Sequence, residues 1–104
     1  MLKFLKNVKK ATTFQKKNEL WDVEGILKNR LNQKLKFDLR PIKNNCKIGS
    51  FKTKADKMVF ESKDQWIIVD VEEMHQFLRE KSIKDVYLED LISELDWNII
   101  LPKK

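Results

Sequence analysis

An α+β domain is the fold this sequence predicts: a small antiparallel sheet of four to five strands packed against an N-terminal helix and a C-terminal helix pair. Three observations predict it. Residues 19–33 carry apolar positions at helical spacing, residues 34–71 change to a period of two with turn residues between the runs, and residues 72–95 return to a helical stripe before a last apolar run at 97–101. The chain has 104 residues, 41% of them hydrophobic and 37% charged, with only two glycines and two prolines, so residues 1–104 are expected to fold as one domain.

The elements follow in order. Leu2, Leu5 and Val8 fall three apart among lysines, so residues 1–17 are expected as either a short amphipathic helix or a basic arm that orders on contact. Asn18 is placed to cap a helix whose stripe is Leu20, Val23, Leu27 and Leu31, which predicts a helix over 19–33. From Lys34 the side chains alternate, with Leu35, Phe37 and Leu39 on one side and Lys36, Asp38 and Arg40 on the other, a half-buried strand ended by Pro41.

The stretch NNCKIGSFKTKADK changes phase at Gly49-Ser50, and a two-residue Gly-X hairpin explains the flip by setting Ile48 opposite Phe51 and Cys46 opposite Thr53. That register puts Lys47 opposite Lys52, with Lys54 next along the outer face opposite Asn45. Like charges across a strand pair repel, so either an anion lies over this face or the lysines guard an exposed edge. A second hairpin is expected around Lys63-Asp64, pairing Phe60 with Ile67 and Lys57 with Asp70; the strand from Trp66 is apolar on both faces and therefore central. Met74, Phe77 and Leu78 mark a helix over 72–81. Ser82 with Asp85 resembles the start of a second over 83–95, and Trp97 to Leu101 is expected as a strand.

Chemistry by side chain is sparse. Glu72 and His75 form a single Glu-x-x-His, where a dicarboxylate metal site needs the motif twice plus two further glutamates. His75 is the only histidine, expected in a surface or capping role, and Cys46 is the only cysteine, expected as a buried, inert thiol. Two isolated glycines cannot form a phosphate-cradling loop. No enzymatic activity, metal or cofactor is expected.

Charge is the informative feature. Residues 1–57 hold sixteen Lys/Arg and five Asp/Glu, a balance of +11; residues 58–104 hold six and eleven, a balance of −5; together these make the +6 of the whole. The longest strictly apolar run, Trp66 to Val69, is far short of a membrane span or a signal-peptide core, and one cysteine allows no internal disulfide, so a cytoplasmic protein is expected, without a membrane partner. Lysine outnumbers arginine nineteen to three, which favours phosphate contact over the reading of bases, although an AT-rich genome also raises lysine content.

Two functional expectations result. The first is a nucleic-acid-binding or accessory protein of low sequence specificity, expected to hold single strands. Its contact set is Lys3, Lys6, Lys9, Lys10, Phe14, Lys43, Lys47, Lys52 and Lys54. The second is an interaction module, such as an inhibitor, immunity protein or complex subunit, steered by its bipolar charge. There the basic half meets an acidic protein surface, and Asp85, Glu89, Asp90 and Glu94 meet a basic partner. A bipolar chain can also pair with itself as a dimer. The same acids exclude the second C-terminal helix from a DNA groove.

Overall fold

The computed structural model describes residues 2–28, 33–42, 47–49 and 51–103. Six strands form one mixed sheet: β1 (Leu5–Lys10), β2 (Val23–Leu27), β3 (Lys34–Pro41), β5 (Lys57–Glu61), β6 (Gln65–Asp70) and β8 (Asn98–Pro102), in that spatial order. All neighbours run antiparallel except β3 and β5, which are parallel and joined by the crossover 42–56. Two short strands, β4 (Lys47–Ile48) and β7 (Val86–Tyr87), pair separately, and the helices are α1 (Thr13–Asn18), α2 (Val71–Lys81) and α3 (Leu88–Glu94). The α+β class is as expected; the sheet is larger than expected and mixed.

The sheet buries both faces. On one, Met58, Phe60, Ile67 and Val69 pack against Met74 and Leu78 of α2, Leu91 of α3, and Ile48 and Phe51 from the crossover. The other gathers Leu5, Val23, Leu27, Leu35, Phe37, Val59, Ile68 and Leu101, with Trp66, Trp97 and Ile99 against them. α1 contributes no buried residue, and the second cluster draws only on strands and the segments beside them. Leu5 and Leu101, from the two outermost strands, are both buried in it, so this half of the core is enclosed by the curl of the sheet.

The 57–70 hairpin has the expected register, Phe60 opposite Ile67 and Lys57 opposite Asp70, and β6 is central between β5 and β8. β3, α2 and β8 also fall where periodicity put them, within a residue or two.

Four expectations are corrected. Over the described residues 19–28 and 33 the expected helix does not form, and Leu31 lies outside them; Val23–Leu27 is a strand, because Val23 and Leu27, with Gly25 between them, satisfy a period of two as well as the longer stripe. Gly25 is costly inside a helix by about 1 kcal/mol and useful here, since a Cβ on it would meet Leu5 Cβ and Lys6 O at 3.3 Å. Of residues 1–17, expected as an arm or one short helix, the described residues from Leu2 onward form a 3-10 turn (Leu2–Phe4), β1 and α1. Asn18 ends α1, while Thr12 starts it through a capping box in which its hydroxyl accepts from Gln15 N–H and its own N–H donates to Gln15 Oε1.

The hairpin at Gly49-Ser50 is also absent. Lys47 pairs with Tyr87 and Ile48 with Val86, and Gly49 does not take the positive φ that its turn would need. Asn45 and Cys46 lie outside the described residues. Finally, Ser82 does not open a helix. It closes α2 in the left-handed region, β7 follows, and the last helix is shortened to α3.

Candidate nucleic-acid interface

β1, β2 and β3 make a basic face. Their registers set Lys6 opposite Ile26 and Ile26 opposite Lys34, then Lys9 opposite Glu24 and Glu24 opposite Lys36. Cross-strand partners project from the same side of a sheet, so the four lysines surround Ile26 and Glu24 on one surface. The intervening Asn7, at φ 56°, forms the bulge that returns Lys9 to the same side as Lys6. α2 and α3 cover the β5–β6 part of this side of the sheet, and the lysine part lies beyond them.

Ion pairing is partial. Lys34 lies 4.0 Å from Glu24 and Lys36 3.8 Å from Glu19, with the Lys36 ammonium also 5.2 Å from the ring of buried Trp21. Lys6, Lys9, Lys10, Lys52 and Lys54 are exposed and make no ion pair among the described residues.

A strap over 51–56 borders this face. Thr53 Oγ1 donates to Leu20 O at 2.8 Å, Lys54 N–H donates to Glu19 O at 2.9 Å, and Arg40 Nη2 reaches Lys52 O at 3.4 Å. Arg40 in turn grips buried Asp38 through two bonds of 2.9 Å. The hydrogen bond to Asp38 raises the Arg40 pKa against the opposing effect of burial, and the charges of Asp38 and Asp22 add to it. Lys52 and Lys54 thereby join the Lys36 end of the lysine face. α1 has Glu19, the partner of Lys36, as its C-cap, and carries Lys16, Lys17 and Phe14, a residue that is 68% exposed.

The expected contact residues therefore divide. Lys6 and Lys9 share the sheet face, Lys52 and Lys54 lie on the strap that borders it, and Phe14 lies on α1; Lys10 follows on β1 with its partner Val23 on the opposite side of the sheet, and Lys3 sits before β1 over the Phe4 ring at 5.3 Å. Lys47 is elsewhere, 3.9 Å from Asp85 and 5.3 Å from the Tyr87 ring, beside the acidic helix. Lys43 lies outside the described residues. Lys34 and Lys36 were not expected, although their alternation along β3 was readable; with 23–27 taken as helix there was no neighbouring strand to join them to β1.

Next to the strap is a cleft of 460 Å³ at the ends of β3, β5 and β6, against α2. Its walls include Asp56, Lys57, Asp70, Glu72, His75 and Arg79. Lys57 and Asp70 pair at 2.7 Å, and the buried ammonium lies 4.0 Å from the Trp97 ring. Partial burial pushes the Asp70 carboxyl up, but the Lys57 hydrogen bond, the Glu73 N–H and the Lys57 charge outweigh it and hold the pKa below its ordinary value. His75 Nε2 is 2.7 Å from Phe51 O, so that nitrogen carries the proton. Among the described residues, no three His, Cys, Asp or Glu side chains are grouped to hold a metal ion, and no helix is long and apolar enough to cross a membrane. Compared with known proteins, the chain matches no family model, no curated protein and no solved structure.

Proposed function

We propose that this protein binds nucleic acid with low sequence specificity, holding single strands on the lysine face of β1–β3. The observation that carries the proposal is the convergence of Lys6, Lys9, Lys34 and Lys36 on one sheet surface, with Phe14, 68% exposed, on helix α1. Lysines neutralise phosphates without selecting a base, and an exposed ring offers a stacking platform to any base. Phe14 is the candidate platform.

Anisotropy titrations with a labelled single strand test this. Five phosphate contacts predict that affinity falls about a hundredfold between roughly 50 and 200 mM salt. Lys6→Glu with Lys9→Glu abolishes binding while the circular dichroism stays that of the parent. Phe14→Ala weakens binding by about 1–3 kcal/mol, and Lys47→Glu, away from the face, leaves it nearly unchanged. Absent or salt-insensitive binding would overturn the proposal.

A second reading has its own support. Glu89, Asp90 and Glu94 are exposed and make no ion pair among the described residues, which suits a basic protein partner at α3.

A further inference from the structure

The cleft adjoins the lysine face through Asp56 and Lys36, which exchange two bonds: Lys36 N–H donates to Asp56 Oδ2 at 2.8 Å and Asp56 N–H to Lys36 O at 2.9 Å. Its inner wall is neutralised from within by the Lys57–Asp70 pair. Asp56, Glu72, His75 and Arg79 remain as the groups that an occupant would meet. They are ordered by charge.

Glu72, His75 and Arg79 recur at i, i+3 and i+7 and so share one face of α2, with Glu72 and Arg79 separated by about 10 Å along the axis. Asp56 stands at the Glu72 end, because Val71 N–H donates to its carbonyl at 3.1 Å. The cleft therefore has acceptors at the start of α2 and a guanidinium two turns on. Nε2 of His75 is taken up by Phe51 O, which leaves Nδ1 between them. An occupant must bring hydrogen-bond donors at one end and an anion at the other.

A nucleotide carries that pair of groups, with a phosphate for Arg79 and a base edge for the carboxylates, and the volume of 460 Å³ falls within the span of small-ligand clefts, roughly 300–1,000 Å³. We infer that the cleft seats one nucleotide of the bound strand, its phosphate on Arg79 and an amino-bearing base edge against Asp56 and Glu72. This rests on the nucleic-acid reading of the lysine face and adds a base preference to it. The amino group of cytosine donates to a carboxylate; uracil presents a carbonyl oxygen at the same position, which an acceptor-only carboxylate repels.

Oligo-deoxycytidine and oligo-deoxyuridine of equal length, titrated at one salt concentration, test the inference. The cytidine strand is expected to bind about five- to tenfold more tightly. Asp56→Asn with Glu72→Gln removes that difference by bringing the affinity of the cytidine strand down toward that of the uridine strand, and Arg79→Gln weakens both strands alike. Glu72 is exposed, so Glu72→Gln alone, which leaves the Asp56 bonds to Lys36 in place, must reduce the preference in a folded protein. Equal binding of the two strands, or a preference that survives the double variant, overturns the cleft assignment and leaves the lysine face standing. If neither strand binds, the nucleic-acid reading fails. Cytidine monophosphate then decides the cleft: amide shifts at Glu72, His75 and Arg79 sustain it, and their absence ends it.

Discussion

At the scale of single residues, the pairing of Lys57 with Asp70 joins fold to site. The two are cross-strand partners, the lysine is only 8% exposed, and Asp70 also caps α2 by accepting from Glu73 N–H at 3.0 Å. Asp70→Asn keeps the shape and a capping oxygen but strands a buried ammonium, which costs about 3 kcal/mol. The pH dependence follows from the direction of the shift. Because the folded state lowers the Asp70 pKa from its ordinary 3.8, the stabilisation is fully present above that value and is lost as pH falls through the folded one. Denaturant unfolding of parent and variant should therefore show a constant gap from neutral pH down to about 5 that narrows below 4. A gap independent of pH would mean that packing, not charge, accounts for the loss.

At the scale of elements, helix α2 offers a test of how its end is made. Ser82 sits at φ 54°, exposed, with its N–H donating to Arg79 O and Leu78 O. Only the backbone is used there, so Ser82→Gly relieves the left-handed strain and is expected to stabilise the fold by about 0.5–1 kcal/mol, a rise of a few degrees in Tm. Elements of this kind, with one dominant period, were legible in the sequence: β3, the β5–β6 hairpin with its register, α2 and β8. β2 was not, because five residues satisfied both periods and only the approach of β1 to Gly25 decides between them. Nor were β4 and β7, whose two residues each pair at a sequence distance that no local pattern encodes. α1 did carry a signal, Thr12 and Gln15 at capping-box spacing, that outweighs its lack of a buried stripe. The candidate site shared these limits. Lys6, Lys9, Lys52 and Lys54 were legible as a basic set, whereas Lys34 and Lys36 became part of it only once β2 lay between them and β1.

At the scale of the whole molecule, the division of charge along the chain becomes a division of the sheet. The lysine face belongs to β1–β3, whereas α3 packs on the side of β5 and β6; β1, which carries Lys6 and Lys9, is three strand spacings or about 14 Å from β5. That separation exceeds the Debye length of about 8 Å at physiological ionic strength. The acids of α3 should therefore slow the approach of a polyanion at low salt while scarcely altering its hold at physiological salt. Neutralising them with Glu89→Gln, Asp90→Asn and Glu94→Gln is expected to change single-strand affinity by less than about threefold at 150 mM salt and to raise the association rate severalfold near 10 mM. A stopped-flow titration across salt concentrations measures both. A basic protein partner docked on α3 would respond in the opposite way, losing affinity outright with the three carboxylates, so the same variant separates a strand held on β1–β3 from a protein held on α3.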